Sequence, residues 1–176
     1  MSNIYIYAEQ FDNVVEPSAA ELVTLVREFS KKSGQKITLL AFGEDTSAIA
    51  SQLAFDDVSV TVVKTPVSAF QDDAISVVVA DALEKLKPDS VIIPASRTAR
   101  ALFSRVAVRL GVGLTADCSE LDVDEHGEFI QRKSAFGANA MCVCVEKGGP
   151  KLVTVLVGGI HESAPLSGNV LAVPEL

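Results

Sequence analysis

The chain has 176 residues, a formal net charge of −8 and 48% hydrophobic residues. That is material for one domain, spanning 1–176, that buries roughly 70% of its unfolded surface. The acidic balance argues against nucleic acid as a partner, and the apolar runs are far shorter than the ~20 residues of a membrane span. The opening MSNIYIYAEQ lacks the basic start of a secretion signal. Cys118, Cys142 and Cys144 are too few for a disulfide framework and match no C-x-x-C spacing, so they are expected as small buried groups in a reducing cytoplasm.

Asn3–Ala8 (NIYIYA) is a β-rich run followed by a loop through Asn13. Pro17 marks the next boundary, and Ser18 with Glu21 has capping-box spacing. The helix that follows carries Leu22, Leu25, Val26 and Phe29 on one stripe and ends at Gly34. Ile37–Phe42 is a continuous apolar run, as a strand covered on both faces should be. Gly43-Glu44-Asp45 leads into a short helix ending near Leu53, and Val58–Val63 is a third strand. Asp72 or Asp73 caps a helix to Leu86, which Pro88 stops. Val91–Ala95 is a fourth strand. The alternation predicts an α/β fold, a three-layer, mostly parallel sheet with right-handed crossovers.

After Gly113 the connections become tight polar turns. Glu120–Val123 and Phe129–Lys133 flank Asp124-Glu125-His126-Gly127, and Met141–Glu146 and Leu152–Val157 flank Lys147-Gly148-Gly149-Pro150. Two hairpins adding antiparallel strands in the C-terminal part are expected.

Four of the six arginines, Arg97, Arg100, Arg105 and Arg109, fall between Pro94 and Ser119. Wound as a helix, 97–110 collects Leu102, Phe103, Val106, Ala107 and Leu110 on one side and these arginines on the other. Arg97 and Arg100 stand in the first turn, where the helix dipole disfavours a cation by about 0.3–1 kcal/mol. A negative group is expected to meet this face, with a solvated basic face as the plain alternative. No G-x-G-x-x-G, Walker A or G-x-S-x-G run occurs. His126 and His161 have no second ligand at metal spacing, and no base is placed to activate Cys118 beside Asp117, so neither a metal nor a catalytic residue is assigned. Gly137 and Asn139, both tolerant of positive φ, follow Arg132 and Lys133 in a segment suited to close backbone approach or to a β-bulge.

The run from Thr98 to Cys118 resembles the signature of the electron transfer flavoprotein alpha subunit, G-R-D-L-x-P-R-x-A-x-L-G-x-G-x-x-x-D-C. Arg132–Ala140 is similar to that family's R-P-x-x-G-G-N-A segment, in the family's order and spacing. The chain departs from the pattern in Ala99 and Ala101 around Arg100, in Ala138, and in Leu156-Val157 where the family closes on R-P. The resemblance implies a Rossmann-like N-terminal domain, similar in fold to adenine-nucleotide alpha-hydrolases, that acts as a scaffold against a beta subunit. It implies a partner surface at Arg100, Arg105, Thr115, Asp117 and Asn139, and a place for Arg132 toward the beta subunit's flavin.

The chain ends at Leu176, where the resemblance places the start of a flavin domain. No cofactor is therefore expected in this chain, with FAD held in the full assembly, and the role implied is an electron carrier component and not an enzyme. A free-standing AMP- or ATP-binding domain is the alternative, with Gly43-Glu44-Asp45 and Ala95-Ser96 as its phosphate loops. Neither loop is glycine-rich enough to cradle a triphosphate.

Overall fold

The structure is a computed structural model of the chain. It describes residues 3–67, 71–124, 129–135, 140–144 and 148–158. β1 (Asn3–Tyr7) runs into a small ribbon of β2 (Gln10–Phe11) and β3 (Val14–Val15), closed by Asp12 and Asn13 at φ 50° and 66°. Two consecutive positive φ values make a hairpin turn that Asp and Asn tolerate. The sequence reading had only a loop here.

α1 (Ser18–Ser33) starts behind Pro17 and ends at Gly34, whose φ of 68° gives the left-handed stop expected of it. The capping box does not form. Pro17 already takes the cap position with helical backbone, so Ser18 lies inside the helix with its hydroxyl buried and without a hydrogen-bond partner among the described residues. Glu21 instead accepts from the Gly158 N–H at 2.7 Å.

β4 (Lys36–Gly43), α2 (Thr46–Gln52), β5 (Ser59–Lys64), α3 (Asp72–Leu86), β6 (Ser90–Pro94) and α4 (Arg97–Leu110) follow within a residue or two of their sequence-based bounds. β7 (Leu114–Cys118) has no counterpart in the sequence reading. β8 (Glu120–Val123) and β9 (Phe129–Ala135) pair antiparallel as expected, and β10 (Ala140–Cys144) adds to β9. β11 (Lys151–Val155) overturns the second hairpin: it does not pair with β10 but lies parallel between β6 and β7. Leu152, Val153, Thr154 and Val155 are all buried. Residues buried on both faces mark a central parallel strand, and the polar turn before it carries no information on strand direction.

The central sheet has six parallel strands in the order β5-β4-β1-β6-β11-β7. From β1 the chain moves outward through β4 to β5, then returns to the other side of β1 at β6, so the topological switch lies between β1 and β6. β1 shows the layering residue by residue. Ile4 and Ile6 face a core built with α1, α2 and the three-stranded sheet, whereas Tyr5 and Tyr7 face a core built with α3 and α4. Tyr7 packs edge-on to Phe103 of α4 with centroids 4.9 Å apart. The three-stranded sheet joins the body through Phe129, which stands edge-on to Phe29 of α1 at 5.0 Å. Among the described residues no helix is long and apolar enough to cross a membrane.

Candidate functional site

The carboxyl edge of the central sheet gathers most of the polar residues that the sequence singles out. Ser96, two residues beyond the end of β6, is extended (φ −72°, ψ 165°) and caps α4 by accepting from the Ala99 N–H at 3.0 Å. The same hydroxyl donates to Oε1 of Glu9 at 2.9 Å. Glu9 follows β1 across the switch point and is only 3% exposed. Burial raises its pKa, against the Ser96 hydroxyl that favours the charged form; the Glu16 carboxylate raises it further, and the Ala99 N–H opposes. Glu9 makes no ion pair among the described residues. The sequence reading missed it; the signal was an acid closing the apolar run Ile4–Ala8.

α4 buries Leu102, Phe103, Val106 and Ala107 as its periodicity requires, and three of its four arginines find partners within the chain. Arg100 Nε donates to Asp117 Oδ1 at 2.8 Å. Arg105 Nε donates to Asp73 Oδ1 of α3 at 3.2 Å and its Nη1 to the Ala101 carbonyl at 2.9 Å. Arg109 Nε donates to the buried Ser76 hydroxyl at 2.9 Å. Arg97 is exposed, with no ion pair among the described residues.

Asp117 has φ 60°, a left-handed backbone that costs a non-glycine residue about 1 kcal/mol or more. Its N–H donates to Thr154 Oγ1 at 2.8 Å, and the Thr154 hydroxyl approaches its Oδ1 at 3.4 Å. The β7–β11 register shifts here, between Val153 and Val155. Thr115 is buried beside Val153 and offers little surface, and Cys118 is fully buried as expected. Cys142 and Cys144 are only half-buried, contrary to the expectation.

Arg132 stands apart, on β9. Its Nη1 donates to Glu120 Oε1 and Asp122 Oδ2, both at 3.1 Å, and Lys32 Nζ of α1 reaches Asp122 Oδ1 at 2.9 Å. Hydrogen bonds from Lys32 first and Arg132 second pull Asp122 down to a pKa of about 2. Asp122 in turn raises Arg132. Asn139 lies outside the described residues, as do His126, Gly137 and His161. The structure thus brings Arg100 of α4 and Asp117 of β7 together, turns Arg105 toward α3, buries Thr115, and leaves Arg132 apart on β9.

The loops available to a ligand at this edge are already engaged. Asp45 caps α2 by accepting from the Ala48 N–H at 2.9 Å, and its own N–H donates to Asn13 Oδ1 at 3.3 Å. A side chain at Gly43 would collide with Ile49 and meet Gln10 Nε2 at 3.1 Å. Three backbone donors of these loops, the N–H groups of Asp45, Ala48 and Ala99, are engaged by the chain's own side chains. Among the described residues no group of three or more His, Cys, Asp or Glu is placed to hold a metal.

Comparison with known proteins agrees with the two motifs. The electron transfer flavoprotein domain matches residues 4–172. The chain is 30% identical over 169 residues to the electron transfer flavoprotein subunit alpha of Clostridium acetobutylicum, an alignment covering 93% of this chain and 50% of that protein. It is 31% identical over 155 residues to the lactate dehydrogenase (NAD(+),ferredoxin) subunit LctC of Acetobacterium woodii, over 86% of this chain and 37% of that one. A third relative, the electron transfer flavoprotein subunit alpha of Thermoanaerobacterium thermosaccharolyticum, is 31% identical over 160 residues, 89% of this chain and 48% of its own length. The chain therefore spans about half the length of the curated relatives it matches, or less. It belongs to the electron transfer flavoprotein family, among the alpha-type chains.

Proposed function

We propose that this chain is an α/β scaffold of an electron transfer flavoprotein alpha subunit, an electron carrier component that pairs with a beta-type subunit. FAD belongs to the full assembly and not to this domain. The observation that carries the pairing is the outer face of the three-stranded sheet. Val143 stands opposite Arg132, and Met141 and Val143 are 54% and 56% exposed on β10, an edge strand with neither charge nor proline to guard it. An apolar pair beside a charge cluster has the make-up of a subunit interface. Arg100 and Arg105 on α4 and Asp117 on β7 extend the partner surface; Asn139 and the buried Thr115 join them on the family motif alone. The family motif assigns Arg132 a place toward the beta subunit's flavin, and that assignment is part of the proposal.

That the domain itself holds no flavin is part of this proposal, supported by the donors already engaged at the carboxyl edge among the described residues, which also speak against AMP or ATP. Co-expression with a beta-type subunit tests the reading. Met141→Lys with Val143→Lys, and separately Arg100→Glu with Arg105→Glu, should reduce co-purification while circular dichroism stays that of the wild type. Retention of the partner by both variants would overturn the pairing. A purified chain carrying stoichiometric FAD, seen as a yellow preparation, would overturn the scaffold role.

A further inference from the structure

We infer that Glu9 is an internal anion: its carboxylate occupies the seat at the start of α4, on the switch point between β1 and β6, and so determines that this crevice accepts no phosphate-bearing ligand. The inference rests on the scaffold reading for the wild-type chain and adds its residue-level cause. In open parallel sheets the crevice outside the carboxyl ends of the strands, where strand order reverses, is the place where ligands bind. Helix N-termini in that position attract anions through their free N–H groups and the positive end of the dipole. Here the anion is supplied by the chain. Glu9 accepts from the Ser96 hydroxyl at 2.9 Å, and Ser96 is itself the cap of α4.

Stability alone does not explain a glutamate at this position. It is 3% exposed, has no cationic partner among the described residues, and burial disfavours its charged form. Ser96 already caps the helix without it. What the carboxylate adds is exclusion: a second anion in the same seat would meet a like charge at close range in a poorly solvated site. The second carboxylate nearby, Glu16, adds to that repulsion. Arg97, exposed in the first turn, stands beside the seat in sequence and would favour an external anion once Glu9 is gone.

The test compares the wild type with Glu9→Ser and Glu9→Gln by thermal unfolding in sodium phosphate, in AMP, and in sodium chloride of matched ionic strength. The wild type should respond to phosphate and AMP no more than to chloride. Glu9→Ser, which empties the seat, should gain a saturable rise of at least about 3 °C with phosphate or AMP over chloride. Glu9→Gln, which removes the charge but still fills the seat, should gain less than Glu9→Ser. If Glu9→Ser is folded and indifferent to both anions, or if Glu9→Gln responds as strongly, the inference about Glu9 is wrong while the scaffold reading stands. Binding of AMP by the wild type would overturn the inference and the scaffold reading together. Where Glu9→Ser loses its fold in chloride, refolded yield is the readout: recovery in phosphate or acetate supports the inference, and recovery in neither overturns it.

Discussion

Asp117 and Thr154 hold each other across the β7–β11 boundary: the Asp117 N–H donates to Thr154 Oγ1 at 2.8 Å, and φ at Asp117 is 60°. The strained backbone is held from two sides. The buried threonine satisfies its N–H, and Arg100 draws its carboxylate toward α4. The ion pair is the weaker restraint, because its side chains are 44% and 46% exposed and such pairs contribute about 0.2–1 kcal/mol.

Thr154→Val should therefore cost more than Arg100→Ala. It leaves the Asp117 N–H unsatisfied, for about 1–3 kcal/mol, while Arg100→Ala should stay below about 1 kcal/mol. Asp117→Asn keeps tolerance of the left-handed region and should be mild, whereas Asp117→Val adds a β-branched side chain there and should cost about 2 kcal/mol. Urea unfolding of the four variants ranks them. An Arg100→Ala loss as large as that of Thr154→Val would show the ion pair to be the main restraint.

The parts of the fold written in periodicity were legible in the sequence. α4 buries four of the five residues its 3.6-residue stripe named and half-buries the fifth, Leu110, and β4 and β6 are the buried runs they resemble. β11 was misread because Gly148-Gly149-Pro150 signals a turn but not the direction of the strand that follows. Its neighbours β6 and β7 are remote in sequence, and only tertiary packing decides between an antiparallel return and insertion into a parallel sheet. The site was half legible for the same reason. A helical wheel placed the arginines on one face of α4, but not Asp117, Asp73 and Ser76 opposite them. Glu9 was invisible because its burial depends on β6 and α4 closing over the end of β1.

Gly149 tests the turn that feeds β11. Its φ is 64°, and a Cβ there would stand 2.6 Å from Val112 Cγ1. Gly149→Ala should lose about 2 kcal/mol or more through overpacking and the left-handed backbone together. Combining it with Val112→Ala should recover the overpacking part and leave about 1 kcal/mol of backbone strain. A double-mutant cycle from urea unfolding measures the coupling, and strict additivity would rule out the contact.

Gln131 of β9 is fully buried, and neither its Oε1 nor its Nε2 finds a hydrogen-bond partner among the described residues. It stands opposite Leu121 on β8 and Cys144 on β10. An amide desolvated without compensation costs about 1–3 kcal/mol. Gln131→Leu, similar in size and apolar, should raise the melting temperature of the chain by about 2–4 °C. A fall in melting temperature would mean that the amide is satisfied in solution.

Asp122 is held near a pKa of about 2 by Lys32 and Arg132, below the ordinary carboxylate value of about 3.9. A carboxyl depressed in the folded state contributes stability in full above its unfolded pKa, and loses it as pH falls through the folded value. Its contribution should thus be constant from neutral pH down to about 4, decline between about 4 and about 2, and vanish below. The cluster ties α1 to the three-stranded sheet, so Asp122→Asn should loosen that sheet first. The difference in urea midpoint between wild type and Asp122→Asn should follow this window and shrink in high salt, since the ions are solvent-screened. Glu9 works with the opposite sign, because its pKa is raised and its charged form is the costly one. The pH series should therefore be run as a difference against Asp122→Asn, in which the Glu9 contribution cancels. A difference unchanged from neutral pH down to below 2 would show that Asp122 is not tied to Lys32 and Arg132 in solution.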